Sequence, residues 1–149
     1  MTFSLQLAEF AKKSADRADE VVRRIVIGVA VNIDKRSPVG DASLWQSPPP
    51  KGYVGGRFRG NWQYGNYAGD GIPMNRLDNI DPSGEATQAA IAAAIPSNAA
   101  GIRHVLINTL PYAMVLERGH STQAPHGMVG LAVVEFQQSV DEAVAGLSK

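Results

Sequence analysis

A single domain of mixed helix and strand is predicted by three patterns in the 149-residue chain. The front, Phe3 to about Ile33, and the end, about Gly127 to Leu147, both repeat apolar residues at helical spacings. Between them lie two short runs with strand character, set among Gly- and Pro-rich turns. The length suits one domain, residues 1–149, with a sizeable core. Hydrophobic content is 44% and charged content 19%, a globular balance. Fourteen basic residues against fourteen acidic ones argue against a whole-chain nucleic-acid binder. The absence of cysteine excludes disulfides and thiolate metal sites.

In the first helix, Leu7, Ala8, Ala11, Ala15, Ala18, Val22, Ile25, Val26, Val29 and Ile33 form one stripe roughly 100° wide. The charges from Glu9 to Arg24 occupy the other side. Glu9–Lys13, Asp19–Arg23 and Glu20–Arg24 are acid-before-base pairs at i,i+4, each worth ~0.3 kcal/mol. Thirty helical residues span roughly 45 Å, more than a compact domain of this size needs, so the helix ends are expected to meet something else. Its opening residues reach Glu9 without a signal-peptide profile, and no apolar run approaches the ~20 residues that span a bilayer. A cytoplasm-like setting without a membrane partner is the expectation.

Residues 34–56 form a long Pro/Gly-rich extended loop that includes Ser37-Pro38-Val39-Gly40 and Ser47-Pro48-Pro49-Pro50. Leu44, Trp45 and Tyr53 within it require cover, from the chain's own core or from a neighbouring subunit. Arg57 to Tyr64 alternates as a half-buried strand, with Phe58, Trp62 and Tyr64 inward and Arg57, Arg59, Asn61 and Gln63 outward. A Gly-rich polar loop continues through Gly71. Asp81 to Glu85 opens a second helix, with Ser83 as a candidate cap, and Ala86 to Ile95 continues it up to Pro96. Ile102 to Ile107 is a short strand, apolar on both faces. Asn108 or Thr109 is placed to cap a short helix whose inner side is Tyr112, Val115 and Leu116, stopped by Gly119. The last helix has a main stripe of Val129, Val133, Phe136, Val140, Ala143, Val144 and Leu147, with Leu131 and Val134 off it.

Chemistry-bearing residues are sparse. His104, Glu117, His120 and His126 lack a metal-ligand spacing, and Ser121 lacks a nucleophile elbow. His104 reads as partly buried core, whereas His120 and His126 read as solvated. Arg57 and Arg59 beside Trp62 and Tyr64 suggest a single-strand nucleic-acid platform, but alternation sends cations and aromatics to opposite faces. Glu117 sits near a helix C-terminus, unfavourable for the dipole, and so is expected to have a specific partner.

Three segments carry a resemblance when taken in order. They are Ser37-Pro38-Val39-Gly40, Gly56-Arg57-Phe58-Arg59-Gly60-Asn61-Trp62, and Asn108-x-x-Pro111-Tyr112-Ala113-x-x-Leu116-Glu117-x-Gly119-x-Ser121-x-Gln123-Ala124-Pro125-x-Gly127-Met128. Their order and spacing resemble the small neck or tail-completion proteins of tailed bacteriophages, a group that includes minor-tail-protein-Z-like and tail-terminator-like components. The resemblance covers most of the chain. It implies an α+β fold, with a small antiparallel sheet packed against a long N-terminal helix and a C-terminal helix. It also implies a structural virion protein of the tail or neck, made in the host cytoplasm, whose subunits form a ring, commonly a hexamer. Such a ring joins the tail tube to the head connector, with genomic DNA passing its lumen without sequence-specific binding; the alternative is a terminator that caps the tube. No catalytic residue, cofactor or metal comes with the resemblance. Candidate subunit-interface residues are Trp45, Tyr53, Arg57, Arg59, Glu117, Arg118, Leu131 and Val134. The rivals are a small metal-dependent hydrolase using His120, His126 and Glu117, and a nucleic-acid module using Arg57 and Arg59.

Overall fold

The computed structural model describes residues 2–66 and 78–147. Most of the Gly-rich loop expected through Gly71 lies outside them. The fold is α+β. Five helices, α1 (Phe3–Arg36), α2 (Glu85–Ala94), α3 (Ala113–Glu117), α4 (Val129–Val134) and α5 (Phe136–Ala145), surround a two-stranded antiparallel sheet of β1 (Trp62–Asn66) and β2 (His104–Asn108). The register pairs Trp62 with Asn108 and Asn66 with His104.

Helix α1 runs three residues beyond the expected Ile33, so the extended loop begins at Ser37 rather than at residue 34. Its second half packs on α2, α4 and α5. Ala30 and Ile33 enter a core with Phe58, Trp62, Ile91, Ile95 and Met128, and Val22, Val26 and Val29 pack against that core. Its first half behaves differently. Residues 2–18 are exposed on every side, Phe3 at 79% and Phe10 at 69%. Thus the periodicity correctly gave the helix, while the apolar stripe of its first half meets no core.

Of the expected charge pairs on α1, only Glu20–Arg24 forms, at 2.5 Å. Asp19 instead accepts the Ala100 N–H at 2.8 Å, and Arg23 donates to the Ala92 carbonyl at 2.7 Å. Both leave the helix surface because a tertiary backbone partner outweighs a solvated i,i+4 pair. Lys12–Asp16, at 2.6 Å, is the pair that forms on the exposed half, and Glu9–Lys13 is not among the ion pairs of the described residues.

Four further expectations need correction. Strand β1 starts only at Trp62, because residues 59–61 make a 3-10 turn that breaks the period of two. Asn61 and Gln63 are therefore buried instead of solvated, while Phe58, Trp62 and Tyr64 are buried as expected. Strand β2 is shifted to His104–Asn108 and is half-buried along its whole length. Helix α2 is started by Asp81 more than by Ser83. The Asp81 carboxylate accepts from the N–H of Gly84 and of Thr87 and from both the Ser83 and Thr87 hydroxyls, and Ser83 Oγ takes only the Glu85 N–H. Burial pushes the Asp81 carboxyl up, but the Thr87, Ser83 and Gly84 hydrogen bonds together hold it below the usual range.

The single last helix is in fact two, α4 and α5, joined at Glu135. Their inward face is Met128, Ala132, Ser139 and Ala143. Small side chains lie inward because α5 comes close to α1, and a Cβ built at Gly28 would stand 3.8 Å from Ser139 Cβ. The stripe expected inside is met only in part: Ala143 is buried and Val140 and Leu147 are half-buried, while Val129, Val133, Phe136 and Val144 are exposed.

Candidate functional site

The three segments that carry the resemblance, far apart in sequence, are tied into one cluster. Ser37, just past the end of α1, is fully buried. Its hydroxyl donates to the Ile33 carbonyl at 2.9 Å and accepts the Trp62 indole N–H at 2.7 Å. Arg59 closes the same end of α1, donating to the carbonyls of Lys35 (3.1 Å), Ser37 (2.9 Å) and Pro82 (2.6 Å). A guanidinium suits this place, since the last carbonyls of a helix lack intrahelical partners and carry its negative end.

Two residues on, Val39 and Gln123 exchange a pair of hydrogen bonds. The Val39 N–H donates to Gln123 Oε1 at 2.9 Å, and Gln123 Nε2 donates to the Val39 carbonyl at 2.8 Å. The side-chain amide here stands in for a β-strand neighbour. Asn61 and Asn108 fasten the middle segment to the third. Asn61 Nδ2 donates to Asn108 Oδ1 and Thr109 Oγ1, both at 3.1 Å, and Asn108 Nδ2 donates to the Phe58 carbonyl at 2.8 Å. This use of Asn108 replaces the expected capping of α3, whose N-cap position is Tyr112 without a side-chain cap. Of the side chains expected on the inner side of α3, Leu116 packs against the core while Tyr112 and Val115 are exposed.

Glu117 has the partner its position demanded. One carboxylate oxygen accepts the N–H groups of Met128 (2.9 Å) and Val129 (3.0 Å), and the other accepts that of Gly130 (2.9 Å). It caps the N-terminus of α4, where a negative charge is favourable, instead of suffering at the end of α3. Burial pushes this carboxyl up, but the three backbone hydrogen bonds outweigh it and hold the carboxyl below the usual range.

Around this cluster opens a groove of about 730 Å³. Pro38, Val39, Trp45, Tyr53, Phe58 and Tyr112 give it apolar walls, and Arg57, His120, Ser121 and Gln123 contribute to a polar rim. The extended loop forms one wall. It contains a 3-10 turn, Ala42–Leu44, started by the Asp41 carboxylate, which accepts from the Ser43 N–H and hydroxyl. Trp45 and Tyr53 touch with ring centroids 4.6 Å apart. Tyr53 is partly covered, its hydroxyl so close to Gly40 that a Cβ there would lie 1.8 Å away. Leu44, Trp45 and Val54 remain exposed.

Of the other interface candidates, Arg57 donates to Asp78 at 3.0 Å, Arg118 is exposed, Leu131 is half-buried and Val134 is 80% exposed. Arg59 and Glu117 act within the chain. His104 lies in the sheet, between the Tyr64 hydroxyl at Nδ1 and the Ala99 carbonyl at Nε2, both at 2.8 Å. Because a carbonyl only accepts, Nε2 carries the hydrogen. His120 and His126 are exposed. Among the described residues no group of three or more His, Asp or Glu is placed to hold a metal, and no helix is long and apolar enough to cross a membrane.

One buried charge escaped the sequence reading. Asp34 is fully buried at the end of α1, with Gln88 Nε2 donating to Oδ2 at 2.7 Å and Oδ1 without a partner. A Cβ built on Gly84 would lie 1.9 Å from Oδ2, so a left-handed glycine (φ 80°) makes room for the carboxyl. Burial raises the Asp34 carboxyl to about 6, against the opposing pull of Gln88 and Arg59. A raised carboxyl favours the protonated native state, so this group's stabilisation is complete below about pH 4 and is lost as pH rises to about 6. The loss is on the order of 3 kcal/mol. Asp34→Asn is expected to abolish that fall, giving a protein more stable than the parent at pH 7 and little changed at pH 4. Denaturant midpoints at the two pH values check this.

Comparison with protein-family models, curated proteins and solved structures gives no match.

Proposed function

We propose that this chain is a non-enzymatic structural component of a tailed-phage virion, a ring-forming subunit of the neck or tail end that joins the tail to the head connector. The observation that carries the reading is the cluster just described. Ser37, Arg59, Asn61, Trp62, Asn108, Glu117 and Gln123, polar and aromatic residues on which the resemblance rests, are spent, with the Val39 backbone, on holding three segments together. They build a scaffold. The surface left over carries large exposed apolar side chains, from Phe3, Leu7 and Phe10 at one end to Val133, Val134 and Phe136 at the other. Extensive apolar exposure on a single subunit suits a protein that works in an assembly.

The same geometry weighs against the rival readings. A hydrolase built on Glu117 would have to use a carboxylate already accepting three backbone N–H groups. A nucleic-acid platform built on Arg57 and Arg59 would draw on guanidinium groups that already bond Asp78 and three backbone carbonyls.

Negative-stain imaging of the purified protein tests the proposal. Closed rings with a central opening are the expected result, and a uniform field of 15.9 kDa particles would count against it. Addition to a polymerising tail-tube protein separates the two roles, because a terminator arrests tube growth and a completion protein leaves it unchanged.

A further inference from the structure

Helix α1 holds 34 residues, about 51 Å at 1.5 Å per residue, and only its second half touches the body. The first half is an arm. At about 100° per residue, Phe3 and Phe10 fall on one side of it, rotated roughly 140° from the side by which α1 grips the core, and Leu7 lies between the two sides. No glycine or proline interrupts residues 3–27, so nothing in the sequence kinks the arm back onto its own domain. Among the described residues nothing covers these side chains.

The body carries a surface of matching character. Val29 and Ile33 of α1, with Val129, Ala132, Val133 and Phe136 of α4 and α5, line an apolar groove of about 190 Å³, wide enough for a phenyl ring. Phe3, Leu7 and Phe10 on the arm and Val129, Val133 and Phe136 around the groove are all exposed, so each surface offers large apolar side chains to the other. Charge agrees with shape. Lys13 and Arg17 flank the arm's apolar side, whereas Glu9, Asp16 and Glu20 lie behind it. From Val129 to Leu147 the α4–α5 wall has Glu135, Asp141 and Glu142 and no basic residue. Glu135 is paired with Arg36 of the same chain at 2.5 Å; Asp141 and Glu142, both exposed, accept only the neutral amides of Gln137 and Gln138, at 2.9 Å each, and keep their charge for incoming cations.

We infer that the arm of one copy docks into the α1–α4–α5 groove of the next, so that the occupant of the groove is a second copy of this chain. Arm and groove are different patches, and a contact between different patches repeats head to tail, which closes into a ring where the rotation permits. The inference rests on the ring reading above and adds the surfaces that form the ring.

Two full-length variants test it, Leu7→Asp/Phe10→Asp on the arm and Val133→Asp at the groove. All three positions are exposed, so circular dichroism and melting of each variant are expected to match the parent. Each variant alone is expected to self-associate at least about tenfold more weakly than the parent, and an equimolar mixture to recover 1:1 complexes, one intact arm meeting one intact groove. Association of Val133→Asp alone at parental strength would mean that arms pair with one another, and overturns the inference. Parent and variants that all close into the same ring would overturn the inference and leave the ring reading standing. Variants that complement each other, with a parent that forms only dimers or open chains, would keep the inference and remove the ring.

Discussion

Replacing Glu117 with alanine is expected to destabilise the protein by about 3 kcal/mol, because it strips the N-terminus of α4 of the acceptor for three N–H groups at once. The comparison with Glu117→Gln is informative. Glutamine keeps one acceptor oxygen and loses the charge, so about half of the loss is expected to remain. The pH dependence has a definite sign. The native carboxyl lies below its ordinary value of 4.5, so its stabilisation is present above that value and is lost as pH falls through the lowered one. Denaturant titrations stepped from pH 7 down into acid are expected to show the gap between variants and parent narrowing as the Glu117 carboxylate is protonated. An alanine variant as stable as the parent at pH 7 would mean that the α4 amides are satisfied by water, and would remove Glu117 from the scaffold.

The second large effect is expected at Gly56, where the extended loop rejoins the body. Its φ is 105°, outside the range that side chains adopt, and a Cβ there would stand 2.4 Å from Pro82 N and 2.7 Å from Asp81 C. These are backbone atoms and cannot rotate away. The Gly56 carbonyl meanwhile accepts the N–H of Gly60 at 2.8 Å and of Asp81 at 3.2 Å. Gly56→Ala therefore combines backbone strain with a clash at the start of α2, and a loss of about 4 kcal/mol or failure to fold is expected. Gly52 is the control. Its φ is 77° but nothing lies within 4 Å of a built Cβ, so Gly52→Ala is expected to cost only about 1 kcal/mol. Thermal melting of the two variants side by side measures the difference.

These two positions also show what was legible in the sequence. Glu117 was singled out because a carboxylate at a helix C-terminus opposes the dipole, and that rule pointed correctly to a partner. Which partner it was depended on α4 beginning at Val129, twelve residues after the acid, and local pattern does not encode such a return. The two main helical regions and β1 were legible because periodicities of 3.6 and 2 are local, and β2 because a short apolar run between turns is equally local. The strand boundary was not, since the 3-10 turn at Arg59–Asn61 carries the same alternation of residues as a strand.

Helix faces were the weakest inference, for a physical reason. An apolar stripe says which side avoids water and not what covers it. In α4 and α5 the close approach of α1 selects Ala132, Ser139 and Ala143 for the interior, and the larger Val133 and Phe136 are left outside. In α1 the arm's stripe has no partner within the chain. Asp34 escaped notice because it was read as the first residue of the extended loop, where an acid is solvated, whereas α1 continues to Arg36 and tertiary packing encloses it. Both failures with the apolar stripes fall on surfaces that a second subunit is proposed to cover.

Native mass spectrometry of the full-length protein, over a concentration series and at low and high salt, tests that proposal most directly. A single closed species is predicted, at a fixed multiple of 15.9 kDa, that grows in population but not in size as concentration rises. A mass that stays at 15.9 kDa throughout, or one that climbs without limit, would contradict a ring.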